Sequence, residues 1–381
     1  MRFALLDTKN NAGLIGALGP HCDVIDENKT SANYDANISA ELRDKIFAIA
    51  ERNVTRRKIR FPALFNFTLI AAAYRAVFRR RAIKKFRCFF ASLAENTDRV
   101  VLVFNGYLAP NALLDLAAQE LGLQTLYLEN GFFPKTMQCD PKGINALSSL
   151  PSAASFYDAL SAKETGSEWP SELVVRRSKL DDGDANSSPS DLPSAFIFVP
   201  FQVPSDMQIL ALSPWIKDMV HLHREIVALA AAFPDKHFVI KEHPSFPLSI
   251  QSRVEPHAQI HFRNSHVTRD LIERSEAVLT VNSTVGLEAL TLNKKIVTLG
   301  DAHYAIDGIA LTANNRTELH AAMGQLNDWQ PNEQRRGRFI RFAFNRFLLP
   351  LERTSPGPET FDLLTNRANG VDIYSKKIGM N

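Results

Sequence analysis

The run from Ala277 to Gly300 restricts the fold more than any other part of this chain. Val278, Leu279 and Val281 form a short apolar segment suited to a strand buried in a parallel sheet. Asn282-Ser283-Thr284 follows, rich in helix-capping side chains, and Val285, Leu287, Ala289 and Leu290 supply the buried side of a helix. Ile296-Val297-Thr298-Leu299 reads as a second strand, closed by Gly300. Strand, turn, helix and strand make a βαβ unit, and such a unit belongs to an α/β fold. Its helix N-terminus offers backbone N–H groups and a positive dipole end, chemistry that suits a phosphate. The turn has neither the lysine of a P-loop nor the glycines of a dinucleotide fingerprint. It is therefore either the phosphate cradle of a nucleotide-sugar enzyme or an ordinary βα turn.

The same alternation recurs along the chain. Residues 2–6 read as a first strand, because Asp7 interrupts the apolar run that a signal peptide would need. Ser39 is placed to cap a helix over 39–52. Strands are expected at 99–104 and 125–128 around a helix at 109–121, and the second runs into Glu129-Asn-Gly-Phe-Phe-Pro134. Residues 178–193 are almost without apolar side chains and read as a linker. A strand at 195–199 then leads into Pro200-Phe-Gln-Val-Pro-Ser-Asp206, and one at 237–240 into Lys241-Glu-His-Pro244. At 381 residues the chain has room for two domains. The expectation is two Rossmann-like domains facing a cleft: 1–180 as an acceptor-side domain carrying Glu129, and 194–330 as a nucleotide-sugar domain. A helical tail over 331–381 would cross back.

Net charge, only +3, excludes little; its distribution says more. Between Arg56 and Phe90 aromatic and basic residues alternate (Phe61, Tyr74 and Phe78 among Arg75, Arg79, Arg80 and Arg81), and a second such segment runs from Arg335 to Phe347. Basic amphipathic helices of this kind suit an anionic membrane surface, or else pack their phenylalanines on a core. No nucleic-acid-binding module accompanies the charge, and no apolar run reaches membrane-spanning length. Cys22, Cys88 and Cys139 are too few and too scattered for a disulfide framework or a zinc site, so reduced thiols are expected.

Four loops thus fall at the carboxyl ends of expected strands, the edge where open α/β sheets bind ligands. They supply the carboxylates Glu129 and Asp206, the cations Lys241 and His243, and the Ser283-Thr284 turn. Cations and N–H donors suit a leaving phosphate, and paired carboxylates suit glycosyl transfer with retention. No cluster has metal-ligand spacing, so neither a metal nor another cofactor is expected. Taken alone, Asp206 could equally cap a helix and Glu288 could be a solvated helix residue.

Glu129-Asn-Gly-Phe-Phe, Pro200-Phe-Gln202-Val-x-x-Asp206, Lys241-x-His243-Pro244, Asn282-Ser283-Thr284-Val-Gly286-x-Glu288 and Gly300-Asp-Ala-x-Tyr304 stand in that order. The series resembles the motifs of the capsule polysaccharide biosynthesis proteins, the retaining β-Kdo glycosyltransferases of bacterial capsule and O-antigen synthesis. The resemblance implies a GT-B-like fold and a metal-free transferase that uses CMP-Kdo. It implies Asp206 as nucleophile and Glu129 as acid/base, with Lys241, His243, Ser283 and Thr284 on the donor phosphate. Gln202 and Glu288 would complete the nucleotide site. The acceptor would be a glycan or a lipid-linked glycan, and the enzyme cytoplasmic and peripheral at the inner membrane. Two other readings remain at this point: a transferase for another activated sugar, such as CMP-sialic acid or a UDP-sugar, and a non-catalytic glycan- or membrane-binding component of a capsule assembly complex.

Overall fold

Residues 1–27, 38–171, 192–246 and 248–379 are described by the computed structural model, so most of the expected 178–193 linker lies outside the described residues. The chain divides into two compact units: Met1–Leu150 with Arg346–Asn381, and Pro151–Asn345.

The first unit is built on β1 (Phe3–Leu6), β2 (Cys22–Ile25), β3 (Val100–Phe104), β4 (Thr125–Asn130) and β5 (Met137–Asp140), in the order β2-β1-β3-β4-β5. All neighbours are parallel except the edge pair β4–β5. Every residue of β1 and β3 is buried, which explains their unbroken apolar runs. Successive side chains go to opposite faces. Ala4, Leu6, Val101 and Val103 pack with Ile46, Phe86, Phe89 and Leu113 from the helices Ala40–Arg60, Thr68–Ala94 and Asn111–Glu120. Phe3, Leu5, Val100 and Leu102 pack with Leu14, Leu18 and Leu364 on the other side.

Ser39 caps the first long helix, its hydroxyl accepting from the Leu42 N–H at 3.1 Å. The basic aromatic stretch that follows is not one helix. Pro62 has no N–H and disfavours helical geometry in the residue before it, and Phe61 leaves the helix at φ −135°.

The C-terminal segment is tied into the first unit by backbone and by a buried charge. Met137 and Leu349 exchange backbone hydrogen bonds of 2.9 Å each. Arg367, 1% exposed, pairs with Asp372 and donates to the carbonyls of Cys139, Arg346 and Phe347.

Among its described residues the second unit holds six parallel strands: β6 (Ile197–Pro200), β7 (Phe238–Lys241), β8 (Ile260–Phe262), β9 (Ala277–Thr280), β10 (Lys295–Thr298) and β11 (Leu311–Thr312). Their order is β11-β10-β9-β6-β7-β8. The chain builds outward from β6 through β8, then returns to place β9 on the other side of β6. That reversal is a topological switch point, and ligands of open α/β sheets bind outside the strand carboxyl ends there.

The unit begins near 151 rather than 190, and side-chain packing explains why. Tyr157 meets Phe339 edge-on with centroids 5.4 Å apart, Phe156 meets Phe342 at 5.2 Å, and Arg335 pairs with Asp158 at 2.6 Å. The basic aromatic segment over 335–347 therefore places its Phe339, Ile340 and Phe342 in a core. Of the two readings open for such a segment, internal packing describes this one. Among the described residues no helix is long and apolar enough to cross a membrane.

Candidate functional site

At the switch point of the second sheet, the loops leaving β6 and β9 are clamped together by Gln202 and Asn282. The Gln202 amide donates to Asn282 Oδ1 at 2.9 Å, and its Oε1 accepts from the Asn282 backbone N–H at 3.2 Å. Asn282 Nδ2 donates in turn to the carbonyls of Gln208 at 2.8 Å and Leu212 at 2.9 Å. Both side chains are buried, so every one of these groups needs its partner. Gln202 thus holds the turn in place, and its amide is spent on protein groups.

The clamp presents the start of the helix Thr284–Thr291. Ser283 caps it, accepting from the Val285 N–H at 3.2 Å, and Ser283 and Thr284 are half-buried. Tyr304 donates its hydroxyl to the Ser283 carbonyl at 2.5 Å from behind the helix. Gly286 is required there, because a Cβ would lie 2.2 Å from the Tyr304 oxygen. Glu288 is 2% exposed on the inner side of the helix, so it is no solvated surface residue.

β7 ends at Lys241, and the loop after it carries Glu242 and His243. Lys241 is 7% exposed and donates to the carbonyls of Asn264 at 2.5 Å and His266 at 2.6 Å. Its charge remains beside the strand end while its ammonium pins the loop after β8. Glu242 accepts from the Ile250 N–H at 2.6 Å and from Ser249 and Asn264 side chains at 2.7 and 3.0 Å. His243 Nδ1 accepts from the Ser245 backbone N–H at 3.2 Å, which puts the proton of the neutral ring on Nε2. Nε2–H is then a directed donor. A pocket of about 10 Å³, room for one water, joins Gln202, Glu242 and His243.

Asp206 caps the short helix Met207–Leu210, its Oδ1 accepting from the Gln208 N–H at 3.0 Å. The residue is exposed and its other oxygen meets no protein donor among the described residues. The expected cap is present, and capping occupies only one of the two oxygens.

In the first unit, Glu129 stands at the end of β4. Its Oε2 accepts from Asn105 Nδ2 and its Oε1 from the Asn130 N–H, both at 2.9 Å. Asn105 and Gly106 adopt left-handed backbone (φ +63° and +72°), which asparagine and glycine tolerate best, and this turn aims Asn105 at the carboxylate. Arg353 arrives from the C-terminal segment. Its guanidinium lies 3.5 Å from the centre of the Phe104 ring and donates to Asn11 Oδ1 at 3.0 and 2.7 Å. Burial pulls its pKa down, and the nearby Glu129 charge works in the opposite direction.

Sequence patterns pointed to Glu129 but not to Asn11, Asn105 or Arg353. Only the Asn-Gly pair after an apolar run hinted at a special turn. Among the described residues no group of three or more His, Cys, Asp or Glu side chains could hold a metal ion.

Residues 173–328 match the family model described as capsule polysaccharide biosynthesis protein. Protein FixF of Sinorhizobium fredii (strain NBRC 101917 / NGR234) is 40% identical over 306 residues, covering 80% of this chain and 74% of that protein. Among solved structures, Thermosulfurimonas dismutans KpsC, beta Kdo 2,7 transferase, matches with a TM-score of 0.46 and 14% identity over 89% of this chain and 90% of that one. The KpsC beta Kdo 2,4 transferase of the same organism matches with a TM-score of 0.44 and 19% identity over 70% and 86%.

Proposed function

We propose, on the premise that this chain belongs to the capsule polysaccharide biosynthesis protein family, that it is a retaining glycosyltransferase. It moves a β-linked Kdo residue from CMP-Kdo to a glycan or lipid-linked acceptor, on the cytoplasmic side of the inner membrane. The observation that carries this reading is the buried Gln202–Asn282 clamp, which fixes a half-buried, serine-capped helix start at a sheet switch point. Fixed N–H donors outside strand carboxyl ends suit the phosphate of a nucleotide sugar.

In the proposed reaction the second oxygen of Asp206 attacks the anomeric carbon while the bond to the CMP phosphate breaks. The electron pair leaves with the phosphate, where the positive end of the Ser283-capped helix and the Nε2–H of His243 take up the developing charge. Glu129 then accepts the proton of the acceptor hydroxyl as that oxygen displaces Asp206. Two inversions give retention. The Arg353 charge favours the anionic, base-competent Glu129. Lys241 acts at one remove, because its ammonium is committed to backbone carbonyls. Glu288, buried in the helix, acts on the nucleotide site from behind that helix start.

A donor panel tests the reading. Hydrolysis or transfer with CMP-Kdo, lost in Asp206→Asn, is expected. Turnover confined to CMP-sialic acid or UDP-sugars would shift the donor class. Full complementation by an Asp206→Ala/Glu129→Ala double variant would mark a non-catalytic component instead.

A further inference from the structure

The first unit contains a cavity of about 550 Å³ between the helices Ala40–Arg60 and Thr68–Ala94, lined by none of the residues assigned above to the candidate site. Arg56, Arg57, Arg60, Arg81 and Lys85 line it over a floor that includes Tyr74 and Phe78, and no carboxylate is among its lining residues. Lys85 pairs with Glu27, and nearby Arg75 and Arg79 share Glu51 at 2.9 Å each. Among the described residues no carboxylate pairs with Arg57, Arg60 or Arg81. Converging cations over an aromatic floor are an anion site with an apolar lining.

The helical connection beside this cavity is apolar on the outside. Of the thirteen large apolar side chains exposed among the described residues, six fall between Phe61 and Val77, with Phe67 at 64% and Leu69 at 84% exposure. A soluble surface scatters such residues; a cluster beside a cationic cavity fits the boundary between lipid headgroups and acyl chains.

We propose that the cavity binds the phosphate headgroup of an anionic membrane lipid while the connection around Leu64, Phe67 and Leu69 enters the same leaflet. The cavity wall includes Ala109 and Pro110, whose loop is held by Asn53, the Ala109 N–H donating to Asn53 Oδ1 at 3.0 Å. That loop begins at Asn105, the partner of Glu129. Five residues of chain span at most about 18 Å, so a lipid held here lies within a short reach of the proposed base. This deepens the lipid-linked acceptor reading and rests on it for its purpose, but vesicle binding needs neither donor nor turnover, so the two can fail separately.

The test is flotation of the full chain with phosphatidylcholine vesicles, with and without roughly one third phosphatidylglycerol. Binding to the anionic vesicles alone, weakening with salt, is expected. Each basic side chain near an anionic surface changes binding about fivefold, so Arg60→Ala/Arg81→Ala should lose about 25-fold. Phe67→Ser/Leu69→Ser should lose at least about tenfold with the charge unchanged. Circular dichroism melts check that both variants fold. Equal binding to neutral vesicles, or full binding by the arginine variant, overturns the proposal. So does stabilisation by inorganic phosphate without vesicle binding, which would mark a free-anion site. Loss of a dimer in the Phe67→Ser/Leu69→Ser variant by sedimentation, with flotation intact, would assign the apolar face to a second copy.

Discussion

Replacing Gln202 by Leu removes the clamp while keeping apolar bulk between β6 and β9. It leaves the Asn282 backbone N–H and Oδ1 without their partners at a position 1% exposed. Each orphaned buried group costs about 1–3 kcal/mol, so the variant should lose about 2–6 kcal/mol. Asn282→Ala should cost a similar amount, because it also strips partners from the Gln208 and Leu212 carbonyls. The two effects cannot add, since each variant already breaks the shared contact. The double variant Gln202→Leu/Asn282→Ala should fall short of the sum by about 1–2 kcal/mol. Urea unfolding followed by tryptophan fluorescence suits the measurement, because Trp169, Trp215 and Trp329 all lie in the second unit and report that unit alone. Additivity within about 0.5 kcal/mol would refute the clamp. So would a stable Gln202→Leu protein with unchanged donor affinity.

Lys241→Met should cost about 2–3 kcal/mol of second-unit stability by the same fluorescence assay, since a charged donor to two carbonyls is removed; lost donor affinity at full stability would make Lys241 a direct ligand instead. Burial holds the His303 imidazole down at about 3 from its usual 6.5. The unfolded chain therefore binds a proton that the folded chain refuses, and stability present above pH 6.5 is lost as pH falls toward 3, at up to about 1.4 kcal/mol per unit. His303→Phe should flatten that acid limb in pH-dependent melts, and an unchanged limb would exclude His303 as its source. Arg353→Met should lower transfer to an acceptor by about 10- to 100-fold while sparing donor cleavage, as expected for a group beside the base; equal loss of both steps would contradict that division.

The parts of this molecule written in local pattern were readable from sequence. The βαβ unit at 277–300 and the helix expected at 109–121 depend on short apolar runs and turn signals, and both appear, the latter as Asn111–Glu120. The edge strands β2, β5, β8 and β11 carry no unbroken apolar run (Cys-Asp-Val-Ile, Met-Gln-Cys-Asp, Ile-His-Phe and Leu-Thr), so nothing in the sequence marks them. The helix break at Phe61–Pro62 shows in the sequence only as a proline inside an amphipathic run. For the site, residue type was legible and commitment was not. A lysine at a strand end reads as a phosphate ligand until its ammonium is found on the carbonyls of Asn264 and His266, more than twenty residues away. Arg353 and Asn11 meet across more than three hundred residues, a contact no local pattern encodes. The arginines at 335–341 looked like those at 75–81 by composition. Only packing separates them, the first set fixed around Tyr157 and Asp158, the second beside an open cavity.

Intact-protein mass spectrometry of Glu129→Gln with CMP-Kdo tests the central claim most directly. Without its base the enzyme should stall after the first displacement and gain the mass of one sugar residue, mapped by peptide fragmentation to Asp206. The paired variant Glu129→Gln/Asp206→Asn should gain nothing. An adduct on another residue, or undiminished transfer by Asp206→Asn with no adduct formed, would contradict the account.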